Sequence, residues 1–375
     1  MLVLIKVLHI LDSLNRGGAE IMELDLCRNA RANGLNLTFV ATGGGDLEED
    51  FSNSGVEFVR LKRSLPVDLS LAAQLRQIIV QRKIDIVHSH QPVEALHLYL
   101  ATRGSTVRRV LTLHGVYPGA KNDLALRFVL PRANACVVVS REISKLTQER
   151  GGSASQKFVV INNGVDPKRL QASERSLREE LGLNLAADEK ELLMGMVGNF
   201  HPVAQKDQLT VCRALPKVFA HRPQAQFVFV GGRSEAAPHL FDDCVSFCRA
   251  NGIAERVHFL GKRADIANVI GSLDLFVLST LREGSPISVI ETMMMGVPAV
   301  LSDIAALSEV SNDGRYAVLF KTSDADDLVL KLIDILDDRA QRARLSSEAK
   351  QWAMSRFSIE AHIANLLSLY RSLAN

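Results

Sequence analysis

Residues 273–302 of this chain read LDLFVLSTLREGSPISVIETMMMGVPAVLS. The apolar run 273–278 predicts a buried strand, residues 286–296 predict a helix, and residues 298–302 predict the next strand. Two strands joined through a helix can run in the same direction, because the helix carries the chain back across the face of the sheet. The stretch therefore predicts a parallel sheet and an α/β fold.

The same alternation of short apolar runs and amphipathic segments continues in both directions. Strands are predicted in the first half at 4–10, 36–42, 56–61, 84–89, 108–113, 135–139 and 157–161. In the second half they are predicted at 192–198, 225–231, 256–260, 273–278, 298–302 and 315–320. Helices are predicted between them, as at 19–33, 69–82, 206–220, 264–271 and 324–336, and over most of 338–373.

The length of 375 residues suggests two domains, since about 150 residues are typical of one. A charged stretch with few apolar residues interrupts the pattern between about 166 and 190. We therefore predict two Rossmann-like domains, 1–170 and 171–355, that face each other across a deep cleft. The last segment, 356–375, is predicted to be a helix that packs back toward the first domain. In open α/β sheets, ligands bind at the carboxyl ends of the strands.

The composition is that of a globular protein, with 47% hydrophobic and 23% charged residues. No stretch approaches the roughly 18 uninterrupted apolar residues of a membrane span. The short apolar run 2–5 is followed by Lys6 and is predicted to be a strand, so we expect a cytoplasmic protein. The five cysteines lack metal or disulfide spacing. Cys244 and Cys248 share a helical face and are predicted to be buried thiols.

The net charge of +2 is unevenly distributed. Residues 1–170 contain 22 Lys and Arg against 16 Asp and Glu, a difference of +6, and residues 171–375 contain 22 against 26, a difference of −4. An excess of this size is equally compatible with ordinary scatter. If it is functional, it suits peripheral contact with an anionic membrane or an acidic partner. Nucleic acid is not among the expected partners.

Paired glycines, Gly17 and Gly18, lie between the first predicted strand and the first long helix. Such a turn lets backbone N–H groups approach a phosphate, and the helix dipole favours the negative charge. A purely structural turn is an equally good interpretation. The G-x-G-x-x-G fingerprint is absent from this turn, which disfavours a nicotinamide cofactor.

The segment 282–291, REGSPISVIE, carries two carboxylates separated by seven residues. Glu283 lies in the predicted loop, where it could accept hydrogen bonds from sugar hydroxyls. Glu291 lies in the predicted helix and could bind a vicinal diol such as a ribose. Both could instead be ordinary helix-end charges. The apolar surroundings disfavour that alternative, because a buried carboxylate needs a partner.

With these residues the chain resembles glycosyltransferase family 4, also called group 1, whose members carry an E-x7-E motif in this setting on a GT-B fold. Further matching segments occur in order along nearly the whole chain. They are Gly17-Gly18-Ala19-Glu20, Asp85-Ile86-Val87-His88-Ser89-His90, Thr112-Leu113-His114-Gly115, Asn163-Gly164-Val165-Asp166, Gly261-Lys262-Arg263-Ala264-Asp265-Ile266, Ser272-Leu273-Asp274-Leu275-Phe276-Val277 and Gly296-Val297-Pro298-Ala299-Val300.

The resemblance implies catalytic roles for His114 over the reacting sugar, Glu283 on the donor sugar and Lys206 at the diphosphate. The other predicted donor-binding residues are Gly17, Gly18, Asn199, Arg233, Arg263, Arg282, Gly284, Ser285, Pro286, Ile287 and Glu291. Within this set Glu291 would hold the ribose, and the turn before Arg263 would meet the base. His90 and Tyr117 are expected on the acceptor side.

One departure from the family pattern affects the diphosphate. The family commonly has a second phosphate-binding arginine where this chain has Asn199, and extra residues precede Lys206. We therefore expect Arg233 or Arg282 to supply the additional positive charge.

The function implied by the resemblance is retaining transfer of a hexose from a UDP-sugar, with glucose or N-acetylglucosamine favoured. The acceptor would be a saccharide or a lipid-linked saccharide of surface polysaccharide biosynthesis. Neither a metal nor another cofactor is expected. The alternatives are a sugar-nucleotide epimerase or hydrolase on the same fold, and a catalytically inactive sugar-nucleotide-binding protein.

Two apparent metal motifs favour simpler interpretations. Asp324-Ala325-Asp326 resembles the D-x-D motif of another glycosyltransferase fold, but its position predicts the N-cap of a helix. His88 and His90 lie at a strand end, where we expect one to face the sheet interior and the other the cleft. A hydrogen-bonded core role is predicted for His88 and an acceptor contact for His90.

Overall fold

The computed structural model describes residues 5–115, 119–151, 158–171, 176–183, 191–202 and 206–374. The chain divides into two compact units. Unit 1 consists of Met1–Asp166 with Phe357–Asn375, and unit 2 consists of Pro167–Arg356. The sequence places these boundaries at 170 and 355.

Unit 1 is built on a parallel sheet of seven strands in the order β3-β2-β1-β4-β5-β6-β7. The strands are β1 (Lys6–Leu11), β2 (Asn36–Ala41), β3 (Glu57–Arg60), β4 (Ile86–Ser89), β5 (Arg108–Leu113), β6 (Ala135–Val138) and β7 (Phe158–Val160). The helices are α1 (Gly18–Ala30), α2 (Glu48–Ser52), α3 (Leu69–Arg82), α4 (Pro92–Ala101), α5 (Ala120–Val129) and α6 (Arg141–Gly151), with a 3₁₀ turn at Leu130–Arg132.

Unit 2 repeats this plan with a six-stranded sheet in the order β10-β9-β8-β11-β12-β13. Its strands are β8 (Leu193–Val197), β9 (Gln226–Val230), β10 (Val257–Phe259), β11 (Leu275–Leu278), β12 (Ala299–Ser302) and β13 (Val318–Phe320). Its helices are α7 (Leu177–Glu180), α8 (Gln208–His221), α9 (His239–Ala250), α10 (Ile266–Gly271), α11 (Ile287–Met295), α12 (Ala305–Ser311), α13 (Ala325–Asp337) and α14 (Arg339–Arg356), with 3₁₀ turns at Pro167–Leu170 and Ala254–Arg256.

The last helix, α15 (Ile359–Ala374), belongs to unit 1. Val165 fixes the start of α15 through two backbone hydrogen bonds. The Val165 N–H donates to the Phe357 carbonyl, and the Val165 carbonyl accepts from the Ile359 N–H, both at 2.9 Å. The apolar face of α15 packs into the same core as α1 and the sheet, with Ile363 and Tyr370 fully buried. Residues far apart in sequence thus form one core.

The predicted α/β fold with two parallel sheets is confirmed. Every predicted strand overlaps an observed one, because strands covered by helices on both faces form continuous apolar runs. The Asp324 side chain accepts a hydrogen bond from the Asp327 N–H, which confirms the predicted N-cap of α13. The thiols of Cys244 and Cys248 are free and buried, as predicted. Among the described residues, no helix combines the length and apolarity that crossing a bilayer requires.

We predict that Gly164→Ala destabilises unit 1. A Cβ at this position would lie 2.6 Å from the His362 Cβ and 3.1 Å from the Ile359 Cα, so α15 would have to shift. Overpacking of this kind costs about 1–3 kcal/mol. Urea unfolding should show this loss, whereas Gly115→Ala, whose added Cβ meets no atom of the described residues within 4 Å, should unfold at the wild-type urea concentration. Equal midpoints for the two variants would contradict the prediction.

Candidate active site

The turn into α11 brings together the two unit 2 side chains that the sequence singles out as catalytic. Lys206 pairs with Thr280 in an isolated antiparallel bridge. From there its Nζ forms an ion pair with the Glu283 Oε1, and the two side chains are only 11% and 12% exposed. A mostly buried ammonium and carboxylate in contact are charged groups with little water around them. Electrostatic interactions with a ligand are stronger in such surroundings than in water.

Local structure explains how Lys206 reaches this position. The Asp207 side chain caps α8 by accepting from the Thr210 N–H at 3.2 Å, which fixes Lys206 just before the helix. The lysine stem passes over Gly198, where an added Cβ would lie 3.1 Å from the lysine Cε. The glycine therefore leaves room for the stem.

The expected additional cations lie in the neighbouring loops. The Asn199 Oδ1 accepts from the Gly232 N–H at 2.7 Å, so this side chain links the loops after β8 and β9. Arg233 follows directly, and its guanidinium donates to Asp242 at 2.7 Å while half exposed. Arg282 is exposed in the loop between β11 and α11. Asn199 thus has a structural contact where the family commonly has a charge.

Glu291 is buried in α11 and forms an ion pair with Arg169 at 2.7 Å. Arg169 comes from the 3₁₀ turn Pro167–Leu170, which belongs to unit 2. The sequence-based boundary at 170 assigns this turn to the first domain, and that assignment is corrected here. Arg169 was not predicted as a site residue. The signal available in the sequence was the requirement that a buried Glu291 have a cationic partner.

Two further turns of unit 2 carry predicted donor-site residues. Pro286 occupies the N-cap of α11, so the helix begins at Ile287, one residue later than the predicted start at 286, and the N-cap side chain makes no capping hydrogen bond. Arg263 donates to Asp265 at 2.8 and 2.7 Å and to Glu180 at 2.8 Å. These bonds raise the pKa of Arg263 and hold the turn that starts at Gly261.

In unit 1, α1 begins at Gly18 with Gly17 at the N-cap, and no side chain caps this helix either. The N-cap residue therefore supplies no acceptor for the first N–H groups of α1, and the Glu20 carboxylate accepts a hydrogen bond from its own backbone N–H instead. An added Cβ on Gly17 would lie 2.5 Å from the Glu20 Oε2. Burial raises the pKa of Glu20 to about 7, which reduces the negative charge beside this helix end at neutral pH.

His90 and His114 follow β4 and β5, which are neighbouring strands. The His90 Nδ1 lies 2.9 Å from the His114 Nε2, so the two predicted residues are in direct contact. Burial lowers the pKa of His114 to about 4 and holds that of His90 well below its usual range. Both rings are therefore neutral at neutral pH.

The predicted roles of His88 and His90 need correction. Residues two apart on a strand share a face, and the two rings stack with centroids 4.8 Å apart, so they do not point to opposite sides. His90 is fully enclosed, with its nitrogens bonded to His114 and facing Glu23, so it does not offer a free surface to an acceptor. His88 has the predicted hydrogen-bonded core role, since its nitrogens lie 2.6 Å from the hydroxyls of Tyr370 and Thr112.

Three residues in this cluster were not predicted: His9, Glu23 and Tyr370. The Glu23 carboxylate lies 2.9 Å from the His9 Nδ1 and 3.1 Å from the His90 Nε2. Tyr370 approaches from α15, with its hydroxyl 2.9 Å from the His9 Nε2. Tyr117, the other predicted acceptor-side residue, lies outside the described residues.

Two groups within the described residues have the composition of metal ligands, His9 with His88 and His90, and Glu23 with His90 and His114. In each group one ligand atom per residue lies within 4.8 Å of the others. The ring nitrogens of His9, His88 and His90 already have protein hydrogen-bond partners. A metal ion bound at either group would therefore have to replace hydrogen bonds that these nitrogens already make within the protein.

Comparison with known proteins identifies the chain. The family model "Glycosyltransferase Family 4" matches residues 16–169, and "Glycosyl transferases group 1" matches residues 191–338. N-acetyl-alpha-D-glucosaminyl L-malate synthase of Bacillus anthracis is 23% identical, over 94% of this chain and 93% of the relative. The Escherichia coli UDP-Gal:alpha-D-GlcNAc-diphosphoundecaprenol alpha-1,3-galactosyltransferase is 24% identical, over 98% and 95%.

Among solved structures, Anabaena HepE in complex with UDP and glucose superposes with a TM-score of 0.83 at 21% identity, covering 98% of this chain and 100% of that one. At this identity the likeness shows the fold. The two matched segments fall one in each unit, and the two Rossmann-like sheets are those of the GT-B fold. The chain belongs to the group 1, family 4 glycosyltransferases.

Proposed function

We propose that the protein transfers a hexose from a UDP-sugar to a saccharide or lipid-linked acceptor, with retention of anomeric configuration. The observation that carries the proposal is the Lys206–Glu283 ion pair at the turn into α11, together with the ion pair between Glu291 of α11 and Arg169 of the 3₁₀ turn. Unit 2 therefore contains both a cation suited to a diphosphate and carboxylates suited to the hydroxyls of the sugar and the ribose.

Cleavage of the bond between the sugar C1 and the diphosphate oxygen develops negative charge on the leaving group. Lys206 and the uncapped N-terminus of α11 supply positive charge and N–H donors for that oxygen. Glu283, held by Lys206, accepts hydrogen bonds from the sugar hydroxyls.

Retention follows from attack on the face that the diphosphate leaves. The acceptor oxygen forms the new bond to C1, the bond from C1 to the diphosphate breaks, and the acceptor proton passes to a leaving phosphate oxygen. No side chain forms a covalent intermediate in this route. Mass spectrometry of the protein after incubation with a slow fluorinated donor should show only the unmodified mass, and a glycosylated enzyme would overturn the route.

The relatives support the choice of substrates. The HepE structure contains UDP and glucose, the E. coli relative is named for UDP-galactose and a diphosphoundecaprenol acceptor, and the B. anthracis relative is named for N-acetylglucosamine. UDP-glucose and UDP-N-acetylglucosamine are therefore the first donors to test, with an undecaprenyl-diphosphate saccharide as acceptor.

The test incubates the protein with each UDP-sugar, with and without this acceptor, and follows products by mass spectrometry. Acceptor-dependent release of UDP together with an acceptor heavier by one hexose or N-acetylhexosamine residue, according to the donor, supports transfer. An isomerised sugar nucleotide would instead indicate an epimerase. Free sugar formed at a rate independent of acceptor would indicate a hydrolase, and donor binding without turnover would indicate an inactive binding protein.

We predict that metal removal leaves this activity unchanged. Lys206 and the helix N-termini supply the charge that a divalent cation supplies in other phosphate-transferring sites. The rate of UDP release after EDTA treatment and desalting should match that of the untreated enzyme. Loss of activity that added Mg²⁺ or Mn²⁺ restores would contradict this.

We further propose that α5 places unit 1 on an anionic membrane surface at the cytoplasmic face. Leu124 and Phe128 are exposed on one face of this helix, with Leu124 72% exposed, and Lys121 is one turn away on the same face. Arg132 stacks over the Phe128 ring, with its guanidinium carbon 3.9 Å from the centroid. Exposed apolar side chains flanked by basic ones suit the lipid interface.

For this surface we predict that Leu124→Ser weakens binding to phosphatidylglycerol vesicles several-fold in a sedimentation assay. Leu330→Ser is the matched control, since Leu330 is 61% exposed on α13 of unit 2. Phosphatidylcholine vesicles should bind neither protein strongly. Equal binding by the two variants, or equal affinity for both lipids, would exclude α5 as the contact.

A further inference from the structure

We propose that Asp12 and Arg63 of unit 1 form a subsite that binds a hydroxyl group of a saccharide acceptor, and that Glu94 positions Arg63 in it. The inference rests on the proposed function, because it requires that the enzyme take an acceptor. It assigns the acceptor side to residues that no motif of the sequence marks, in place of the buried His90.

The three residues meet at the carboxyl edge of the unit 1 sheet, which is where open α/β sheets bind their ligands. Asp12 directly follows β1, Arg63 follows β3, and Glu94 lies in the first turn of α4, after β4. The strands β1 and β4 are neighbours in the sheet. The side chains of Asp12 and Arg63 are 23% and 26% exposed, so part of each is accessible, whereas that of Glu94 is 2% exposed.

The distance between Asp12 and Arg63 suits a bridging hydroxyl group. The Asp12 Oδ2 lies 3.9 Å from the Arg63 Nη2, which is too long for a direct hydrogen bond. A hydroxyl oxygen placed beside this gap can donate its proton to the carboxylate and accept from the guanidinium. An anion could only accept from the guanidinium and would be repelled by the carboxylate. The pair therefore fits a sugar hydroxyl better than a phosphate.

Each member of the pair is held by a different neighbour. The Asp12 Oδ1 accepts from the Gln91 Nε2 at 2.7 Å, and the Arg63 Nη1 donates to the Glu94 Oε1 at 2.7 Å. Asp12 also accepts from its own backbone N–H. A carboxylate can accept about four hydrogen bonds, so Asp12 retains capacity for a ligand. The two anchors keep the pair open, because each holds one side chain away from a direct ion pair with the other.

The backbone that carries the pair is fixed by the loop after β2. The Thr42 N–H donates to the Leu11 carbonyl at 2.9 Å, and the Arg63 N–H donates to the Thr42 carbonyl at 3.4 Å, so Thr42 joins the two chain segments. Gly43 packs directly on the first of them, since an added Cβ would lie 1.9 Å from the Asp12 carbonyl oxygen. A subsite that is ordered before binding loses less conformational entropy when the ligand arrives.

Glu94 can hold Arg63 whether or not its carboxyl group is ionised. Burial, with a smaller contribution from the negative charge of Asp12, raises the pKa of Glu94 to about 7, while the positive charges of Arg63 and Lys121 act against this rise. The Glu94 Oε2 has no hydrogen-bond partner among the described residues. With a proton on Oε2, the Oε1 keeps a lone pair and still accepts from Arg63. The anchor therefore depends on a carbonyl-type oxygen and not on a full negative charge.

The first test measures acceptor binding and needs no turnover. Farnesyl diphosphates carrying N-acetylglucosamine, glucose or galactose are titrated calorimetrically into the protein in the presence of UDP. For the sugar that binds most tightly, Asp12→Asn and Arg63→Met should each raise the Kd about 10- to 100-fold, the usual contribution of a hydrogen bond to a charged group. The Kd for UDP should stay at the wild-type value.

Arg82→Met is the matched control, because Arg82 is 30% exposed and pairs with Glu57 at the other end of β3. It should retain the wild-type Kd for the acceptor. Urea unfolding shows whether each variant is folded. A wild-type acceptor Kd in folded Asp12→Asn or Arg63→Met, or the absence of binding of all three probes to the wild type, would overturn the subsite.

The second test shows whether the pair binds a hydroxyl or an anion. Analogues of the same probe that each lack one ring hydroxyl are titrated into wild type and Asp12→Asn. One analogue should bind wild type about 10- to 100-fold more weakly than the parent probe, with no such difference in Asp12→Asn. Equal differences in both proteins for every analogue would overturn the proposal. Binding of inorganic pyrophosphate that Arg63→Met removes and Asp12→Asn strengthens would overturn it in favour of an anion site.

The role of Glu94 is tested by comparing Glu94→Gln with Glu94→Ala. The carboxamide keeps an oxygen for Arg63, so Glu94→Gln should bind the acceptor much more tightly than Glu94→Ala, whose Kd should approach that of Arg63→Met. Equal acceptor Kd values in the two folded variants would remove Glu94 from the subsite. If the acceptor binds through Asp12 but no sugar is transferred, the proposed function fails and the subsite stands. Transfer with an unchanged acceptor KM in Asp12→Asn gives the reverse.

Discussion

Lys206→Met is expected to lower kcat about 100- to 1000-fold, because removing one preorganised charge from a developing anion typically costs that much. Methionine retains an unbranched apolar stem to lie over Gly198, so the variant removes the charge with little change in packing. The Kd for UDP should rise less than kcat falls, since the charge on the leaving oxygen is largest in the transition state. Steady-state rates of UDP release and titration with UDP give the two quantities.

The matched control is Lys217→Met. Lys217 lies in α8, close in sequence to Lys206, but its ammonium is exposed and pairs with Asp326. It should retain the wild-type kcat. A common decrease in both variants would show that the effect of Lys206→Met is nonspecific and would remove this lysine from the proposed mechanism.

Stability has to be measured alongside, because Lys206→Met leaves the Glu283 carboxylate largely buried without its cation. Removing one partner of a buried pair costs on the order of 3 kcal/mol. The double variant Lys206→Met/Glu283→Gln should recover much of this loss while remaining inactive. Thermal unfolding of the wild type, Lys206→Met and the double variant therefore separates a loss of charge at the site from a loss of stability.

Glu291→Ala is expected to weaken UDP binding about 10- to 100-fold. The ribose loses a charged hydrogen-bond acceptor, and Arg169 loses the carboxylate that neutralises it in the folded protein. The ribose contact can be isolated with 2′-deoxy-UDP. Wild type should prefer UDP, and the preference should disappear in Glu291→Ala because the hydroxyl then has no carboxylate partner. Isothermal titration of both proteins with both nucleotides gives four Kd values, which together form a thermodynamic cycle for the ribose contact.

Glu348→Ala serves as the control for this cycle, because Glu348 is an exposed glutamate paired with Arg344 in α14 of the same unit. It should retain the wild-type discrimination. If Glu291→Ala discriminates between the two nucleotides as strongly as wild type does, the ribose does not bind at this carboxylate.

The strands and the turns at their carboxyl ends could be predicted because the physical signal is local. A parallel strand covered on both faces must be apolar along its length, as in 273–278, and the glycine and proline residues of 284–286 mark the turn that follows. The Lys206–Glu283 pair was also within reach, since each residue is next to a predicted strand or helix end.

The partners of these residues could not be predicted in the same way. The His9–Tyr370 contact joins residues 361 positions apart, and no local pattern encodes it. From the sequence, Glu23 cannot be distinguished from an exposed charged residue of a helix. Its burial beside His9 and His90 appears only in the folded structure. Arg169 falls on the wrong side of a boundary drawn from composition, because only packing against α11 shows which unit the turn joins. The misassignment of His90 had a different cause, since strand alternation places His88 and His90 on the same face.

The central claim is that unit 2 holds the nucleotide donor at the turn into α11. Hydrogen–deuterium exchange with and without saturating UDP tests it directly. The predicted result is slower exchange of the amides in 279–291 and in the 3₁₀ turn Pro167–Leu170, larger than any change in β2 or β3 of unit 1. Protection confined to unit 1, or none in 279–291 at saturating UDP, would contradict the account.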